Sequence, residues 1–338
     1  MIIIFRKDAD EEQIQSAIRK IEAMGYTPHL SRGALKTICG VTGDDRAIAE
    51  SEFDQLPGVE SVLRVLKPYK LASREFHPDP TTVDVGGVTI GPGTFAVIAG
   101  PCSVETEEQV ESSAALVARM GLKLIRGGAF KPRSSPYSFQ GLGEQGLEIL
   151  SAAAHRHGLT VVTEIMSEHD VELVGRYTGI FQVGARNMQN FALLKALGET
   201  RVPVLLKRSM MGTIEELLLS AEYIMKGGNN KVILCERGIR TFETQTRNTL
   251  DIAAVPVVKR LSHLPILVDP SHAMGDWHYV APASLAALAA GADGIIVEIH
   301  PEPSVAKSDG RQSLNFPHFE EMMGKLRALA PHLGVTLR

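Results

Sequence analysis

The chain has 338 residues, a formal net charge of −4 and 44% hydrophobic residues. That balance argues against nucleic acid or an anionic membrane surface as the main partner, and the length accommodates one large domain plus a small one. No uninterrupted apolar stretch approaches the ~20 residues of a membrane span. The start, MIIIFRKDADEE, lacks the basic region and small-residue cleavage site of a signal peptide. Three distant cysteines, Cys39, Cys102 and Cys235, point to a reducing cytoplasm rather than a disulfide scaffold.

Residues 1–66 form a compact pattern. A short apolar strand is expected at 2–5. An amphipathic helix follows at 11–25, with Ile14, Ile18, Ile21 and Met24 on one face. Strands are expected around 27–30 and 35–41, a second helix near 45–56, and an alternating strand at 59–66. The order βαββαβ is the ferredoxin-like plan. Such a domain serves either as a ligand-binding module or as a purely structural appendage, and the pattern does not decide between them.

The stretch KPYKLASREFHPD (67–79) is polar, carries two prolines and reads as a linker. TTVDVGGVTIGPG (81–93) then places Gly86-Gly87 between two alternating runs, a hairpin signal. From residue 95 onward, eight short apolar runs alternate with helical stretches: 95–100, 122–127, 160–165, 180–185, 203–208, 231–236, 265–270 and 294–299. Near-continuous apolar runs separated by helices imply parallel strands covered on both faces. Eight such units predict an α/β fold of the (β/α)8 TIM-barrel type, with a doubly wound open sheet as the alternative. The absence of GxGxxG and GxxxxGK[ST] after the first strand weakens that alternative.

Each run ends in, or is soon followed by, a residue capable of chemistry: Cys102, Arg126, Glu164, Arg186, Lys207, Glu236 with Arg237, Asp269 with His272, and Glu298. Singly, each has a bland reading as a loop charge, a packed thiol or a helix cap. In a barrel they converge on the carboxyl-terminal mouth. Arg126, Lys131, Arg133, Arg186, Lys207 and Arg237 would repel one another there without anions between them. Six cations imply two anionic substrates, or one with several anionic groups. The Ser134-Ser135 hydroxyls beyond Arg133 would complete a phosphate cradle. Cys102, His272, Glu298 and Asp309 supply a donor set for a divalent metal, Mn, Fe, Co or Zn, without choosing among them.

Seven motifs in order carry a resemblance: GPCSVE (100–105), RGGAFKPRSSPYSFQG (126–141), GARNMQNF (184–191), LLKR (205–208), CERGIRTF (235–242), DPSHA (269–273) and EIHPEP (298–303). Together they resemble the 3-deoxy-D-arabino-heptulosonate 7-phosphate synthase family over residues 81–335. The form KPRSSP is similar to this family, whereas the sister 3-deoxy-D-manno-octulosonate 8-phosphate synthases tend toward Ala-Asn in place of the proline. After DPSHA the loop reads MGDWHYV, where the family pattern has more glycine and a basic residue. Residues 1–66 resemble the regulatory domain of the feedback-inhibited subgroup. The implied layout is a regulatory domain at 1–66, a linker at 67–80 and a catalytic barrel with its hairpin at 81–338.

The resemblance implies condensation of phosphoenolpyruvate with erythrose 4-phosphate and water, releasing phosphate, as the first step of the shikimate pathway. Arg126, Lys131 and Lys207 would hold the phosphoenolpyruvate carboxylate. Arg186, Arg237 and the Ala185 backbone would hold its phosphate, and Arg133 and Ser134 the phosphate of erythrose 4-phosphate. Cys102, His272, Glu298 and Asp309 would bind the metal. Lys131 is the expected proton donor to the aldehyde oxygen, and Glu164 or Glu236, unranked, handles the attacking water. His29 and Ser31, in the turn-like PHLSRG, are expected to meet an aromatic amino acid inhibitor, tyrosine or phenylalanine; His29 reads equally well as a surface loop residue. A homotetramer is expected. The alternatives are the sister octulosonate synthase, a Schiff-base aldolase using Lys207 or Lys131, and a non-catalytic phosphate-ligand sensor.

Overall fold

The computed structural model describes residues 1–33, 36–42, 48–63, 68–132 and 135–338. The chain divides into two compact units: Met1–Pro80 with Arg260–His263, and Thr81–Lys259 with Leu264–Arg338.

The first unit contains β1 (Ile2–Phe5), α1 (Glu11–Ala23), β2 (Thr27–Arg32), β3 (Thr37–Thr42) and β4 (Val59–Leu63). Asp10 starts α1 through a capping box with Gln13, satisfying amide donors that the first turn leaves free. The sheet order is β2-β3-β1-β4, antiparallel throughout, which is the ferredoxin-like arrangement. Ile14, Ala17 and Ile21 of α1 bury against Ile3, Phe5, Cys39 and Val41 on one sheet face. Met24 falls outside the helix and is 36% exposed.

Two expectations need correction here. Within the described part of the expected second helix, only a 3-10 turn, Glu50–Glu52, forms. That short turn is enough to sink Ile48 and Phe53 into the core, and Gly58, at φ 81°, turns the chain into β4. The expected linker is packed rather than loose: Tyr69, Leu71, Ala72 and Phe76 are buried. The Phe76 ring occupies the space a Cβ at Gly40 would need, so this segment covers the second face of the unit's own sheet. Composition showed the charges of that stretch, but its apolar residues decide its packing.

The second unit opens with the hairpin β5 (Val83–Val85) and β6 (Val88–Ile90). Gly86 and Gly87 form its two-residue turn at φ 56° and 77°, the left-handed conformation that such turns require. Eight parallel strands follow: β7 (Thr94–Gly100), β8 (Leu124–Arg126), β9 (Thr160–Ile165), β10 (Ile180–Val183), β11 (Val204–Lys207), β12 (Val232–Glu236), β13 (Ile266–Val268) and β14 (Gly294–Glu298). Pairing of β14 with β7 closes the barrel. The helices between and after them are α2 (Glu107–Arg119), α3 (Glu144–Arg156), α4 (Val171–Gly175), α5 (Phe191–Gly198), α6 (Ile214–Lys226), α7 (Ala254–Leu261), α8 (Pro270–Met274), α9 (Trp277–Ala289) and α10 (Phe316–Leu329). A final strand, β15 (Thr336–Leu337), pairs with β7.

The barrel interior packs Ile98, Leu124, Val162, Ile180, Leu205, Ile233, Leu267 and Ile296 together with Val83, Val88 and Ile90 of the hairpin. Gly86 abuts Thr160 at the start of β9, and Val85 lies beside Gly179 just before β10. The hairpin therefore plugs the amino-terminal end. The polar residues are left to the opposite end, where the strands stop.

Candidate active site

At the carboxyl ends of the strands lies a cavity of about 290 Å³. Its wall includes Lys131, Glu164, Ala185, Arg186, Lys207, Arg237, His272 and Asp309, all expected from the sequence. Burial works to lower the Lys131 pKa, but neighbouring Cys102 and Glu164 outweigh it and hold it above the ordinary lysine value. The Lys131 ammonium also donates to the Cys102 carbonyl at 3.1 Å. Lys207 Nζ donates to Asp269 Oδ2 at 2.5 Å, and both side chains are buried. Gly184 at the end of β10 leaves room for the Glu164 carboxylate, whose Oε1 lies 2.0 Å from where a Cβ would stand.

Beside this cavity the oxygen and sulfur donors cluster. Ligand atoms of Cys102, Glu298 and Asp309 all lie within 4.8 Å of one another. His272 stands just outside that group, with Nε2 3.4 Å from Glu298 Oε1 and Nδ1 2.7 Å from Asp269 Oδ2. Such a carboxylate partner orients an imidazole and leaves its other nitrogen for a metal. Burial, followed by the charge of Glu298, pushes the Cys102 thiol up to about 12. Glu298 goes the other way: burial raises it, but His272 and Arg126 outweigh burial and bring it to about 2. Burial would also raise Asp269, yet His272 and Lys207 hold it well below the usual carboxylate range. Two carboxylates, an imidazole beside them and a buried thiol make a donor set whose chemistry fits a divalent metal.

Besides Cys102 and Glu298 of the donor cluster, two expected residues do not reach the cavity wall. Arg126 is buried behind it, donating to the Pro101 carbonyl at 3.1 Å and to Glu298 Oε1 at 2.8 Å. Glu236 receives the Arg208 guanidinium at 2.9 Å and the Gly238 amide at 2.7 Å, while burial raises its pKa. Each sits at a strand end, as expected, but a buried charge is held by its nearest partner, and position alone does not reveal that partner. Arg133 and Ser134 lie outside the described residues, as do 45–47 of the expected second helix. His29 and Ser31 belong to strand β2, opposite Gly40 and Ile38 of β3, and not to a turn. Hydrogen bonding along the edge strand overrides the turn-like composition of PHLSRG.

The structure adds residues that sequence reasoning missed. Gln182 and Arg247 line the cavity. Gln182 was legible as a polar residue inside the apolar run IFQV. Arg247 was one of many loop charges and carried no signal. Its guanidinium lies 2.8 Å from Gln312 Oε1 and 3.4 Å from Asp309 Oδ1.

Residues 72–332 match the family described as DAHP synthetase I, and residues 1–67 match the DAHP synthase ferredoxin-like domain. The chain is 55% identical to phospho-2-dehydro-3-deoxyheptonate aldolase of Thermotoga maritima, covering 100% of both chains. It is 30% identical to 2-dehydro-3-deoxyphosphooctonate aldolase of Syntrophobacter fumaroxidans, covering 72% of this chain and 90% of the relative. The crystal structure of the Thermotoga maritima DAHP synthase superposes with a TM-score of 0.80 at 54% identity, over 100% of this chain and 99% of that one.

Proposed function

Since the chain belongs to the DAHP synthetase I family, we propose that it joins phosphoenolpyruvate to erythrose 4-phosphate and water, giving 3-deoxy-D-arabino-heptulosonate 7-phosphate and phosphate. The observation that carries this reading is the convergence of Lys131, Arg186, Lys207, Arg237 and Glu164 on one cavity beside the Cys102–Glu298–Asp309 cluster.

Arg186, Arg237 and the Ala185 backbone hold the phosphoenolpyruvate phosphate, because guanidinium geometry suits bidentate binding. Lys207, steadied by Asp269, holds its carboxylate, and Arg126 acts from behind through Glu298. Arg133 and Ser134 take the phosphate of the aldose. Cys102, His272, Glu298 and Asp309 would hold the divalent cation, which would supply Lewis acidity toward the aldehyde oxygen. C3 of phosphoenolpyruvate attacks the aldehyde carbon, and Lys131 delivers a proton to the oxygen that becomes hydroxyl. Its raised pKa keeps the ammonium protonated, which argues against the neutral amine that a Schiff base requires. Water adds at C2 as Glu164 accepts one of its protons, and the C2–O bond to phosphate breaks as the new C2 hydroxyl passes its proton to the departing phosphate and becomes the ketone. Glu164, on the cavity wall, takes this role over Glu236, which is bound up with Arg208.

Residues 1–66 form the regulatory part in this reading, with the boundary to the barrel near residues 67–80, His29 and Ser31 toward an aromatic amino acid, and a homotetramer as the assembly. No helix among the described residues is long and apolar enough to cross a membrane, and the proposed setting is the cytoplasm. The test is phosphate release from phosphoenolpyruvate after chelation and metal add-back. Release should require both a four-carbon aldose phosphate and the metal. Preference for a five-carbon aldose phosphate would assign the chain to the octulosonate reaction, and metal-independent release would remove the cation from the reading.

A further inference from the structure

Glu105 follows Cys102 by three residues, and its carboxylate faces the loop that carries Asp309. One oxygen accepts the Lys307 backbone N–H at 2.9 Å. The other lies 3.8 Å from His300 Nε2, with both side chains more than nine-tenths buried. His300 Nδ1 accepts the Glu302 amide at 3.0 Å, so the neutral ring carries its proton on Nε2. That nitrogen is buried without a hydrogen-bond partner, leaving Glu105 as the group it faces. Further along the loop, Ser308 Oγ lies 3.1 Å from Cys102 Sγ. Asp309 itself stands at φ 51°, the single non-glycine residue with positive φ among the described residues. Such a conformation persists only where the surroundings fix it.

We propose that Glu105 is a positioning residue that fastens the 300–309 loop to the strand end bearing Cys102, and so sets the affinity of the cluster for a divalent cation. This rests on the divalent-cation reading of that cluster. Glu105 touches neither substrate nor cation; it acts through Lys307 and His300 on the placement of Asp309.

The experiment is Mn2+ titration of the chelator-stripped full-length chain, following free Mn2+ by electron paramagnetic resonance. Glu105→Ala should weaken Mn2+ binding by about 10–100-fold, the range for residues supporting metal ligands, and saturating Mn2+ should restore kcat. Glu105→Gln keeps an oxygen for the Lys307 amide and should stay nearer to wild type. Lys307→Pro removes that amide donor while its ring fixes the local φ, and should weaken binding, whereas Lys307→Ala, which loses the same side chain but keeps the N–H, should not; this pair serves if Glu105→Ala fails to fold. Unchanged affinity in Glu105→Ala, or in Lys307→Pro, would overturn the proposal. Equal weakening in Glu105→Gln would overturn the bond to Lys307 as its basis. A wild-type chain that takes up no Mn2+ would overturn the cation reading first, and this one with it.

Discussion

At Cys102, burial pushes the thiol up to about 12, and in the proposed reading a bound cation would displace its proton. Cys102→Ser should therefore lower metal content and activity together while circular dichroism stays unchanged. Cys39→Ser, in the first unit, should alter neither activity nor metal content. Full activity with metal retained in Cys102→Ser would remove the thiol from the ligand set. Arg186 carries a second residue-level expectation. Loss of one charge-assisted contact to an anion costs roughly 1.5–3 kcal/mol. Arg186→Ala should place that loss on the KM for phosphoenolpyruvate and leave the KM for the aldose phosphate nearly unchanged, as steady-state kinetics with each substrate varied will read. Residue identities at the strand ends were legible in the sequence because each apolar run stops at a group unsuited to a core. Their partners were not: nothing in the spacing of Arg126 or Glu236 announces Glu298, which comes from a strand distant in sequence, or Arg208, which directly follows the neighbouring strand β11.

At the scale of elements, the hairpin offers an internally controlled test. Gly86 and Gly87 both have positive φ, but a Cβ at Gly86 would lie 2.0 Å from Thr160 Oγ1 while one at Gly87 meets open space. Gly87→Ala should cost about 1 kcal/mol for backbone strain alone, and Gly86→Ala clearly more, measured by urea unfolding. Equal costs would mean that the hairpin does not press on β9. The eight strands and this turn could be read directly, since period, apolar content and Gly-Gly all specify one answer. The segment at 68–80 misled because polar composition describes average exposure, whereas Tyr69, Leu71 and Phe76 are individually buried. The stretch MGDWHYV, a departure from the family pattern, joins α8 to α9 through its own chemistry. Gly275 ends α8 at φ 71°, Asp276 caps α9, and Arg311 reaches the Asp276 carboxylate at 3.1 Å.

For the whole molecule, pH and truncation are the informative variables. His263 belongs to the first unit, where burial lowers its pKa from 6.5 to about 4 and its ring meets the Leu71 carbonyl at 2.8 Å. Below the unfolded value, the unfolded chain binds a proton that the folded chain refuses. Stability is therefore fully present above about pH 6.5 and falls as the pH drops toward 4, by up to about 3 kcal/mol. Thermal melts across that range should show the loss, and His263→Gln should flatten it. Deleting residues 1–66 should leave an enzyme that is active and no longer inhibited by aromatic amino acids. A truncated chain that is still inhibited, or a full-length chain indifferent to all three, would remove regulation from that unit.

The cations gathered on the cavity wall have a consequence for the economy of turnover. In the proposed reading Arg186 and Arg237 recognise tetrahedral anions by charge and shape, and those properties belong equally to the phosphate brought in on a substrate and to the phosphate left behind. The waste of one cycle thus competes for the berth that the next cycle needs. Inorganic phosphate should act as a competitive brake against phosphoenolpyruvate, and at low ionic strength, where screening is weakest, it should also raise the melting temperature of the resting enzyme. How fast the chain works in a phosphate-rich medium then depends on how quickly it gives up an ion its own wall is built to keep.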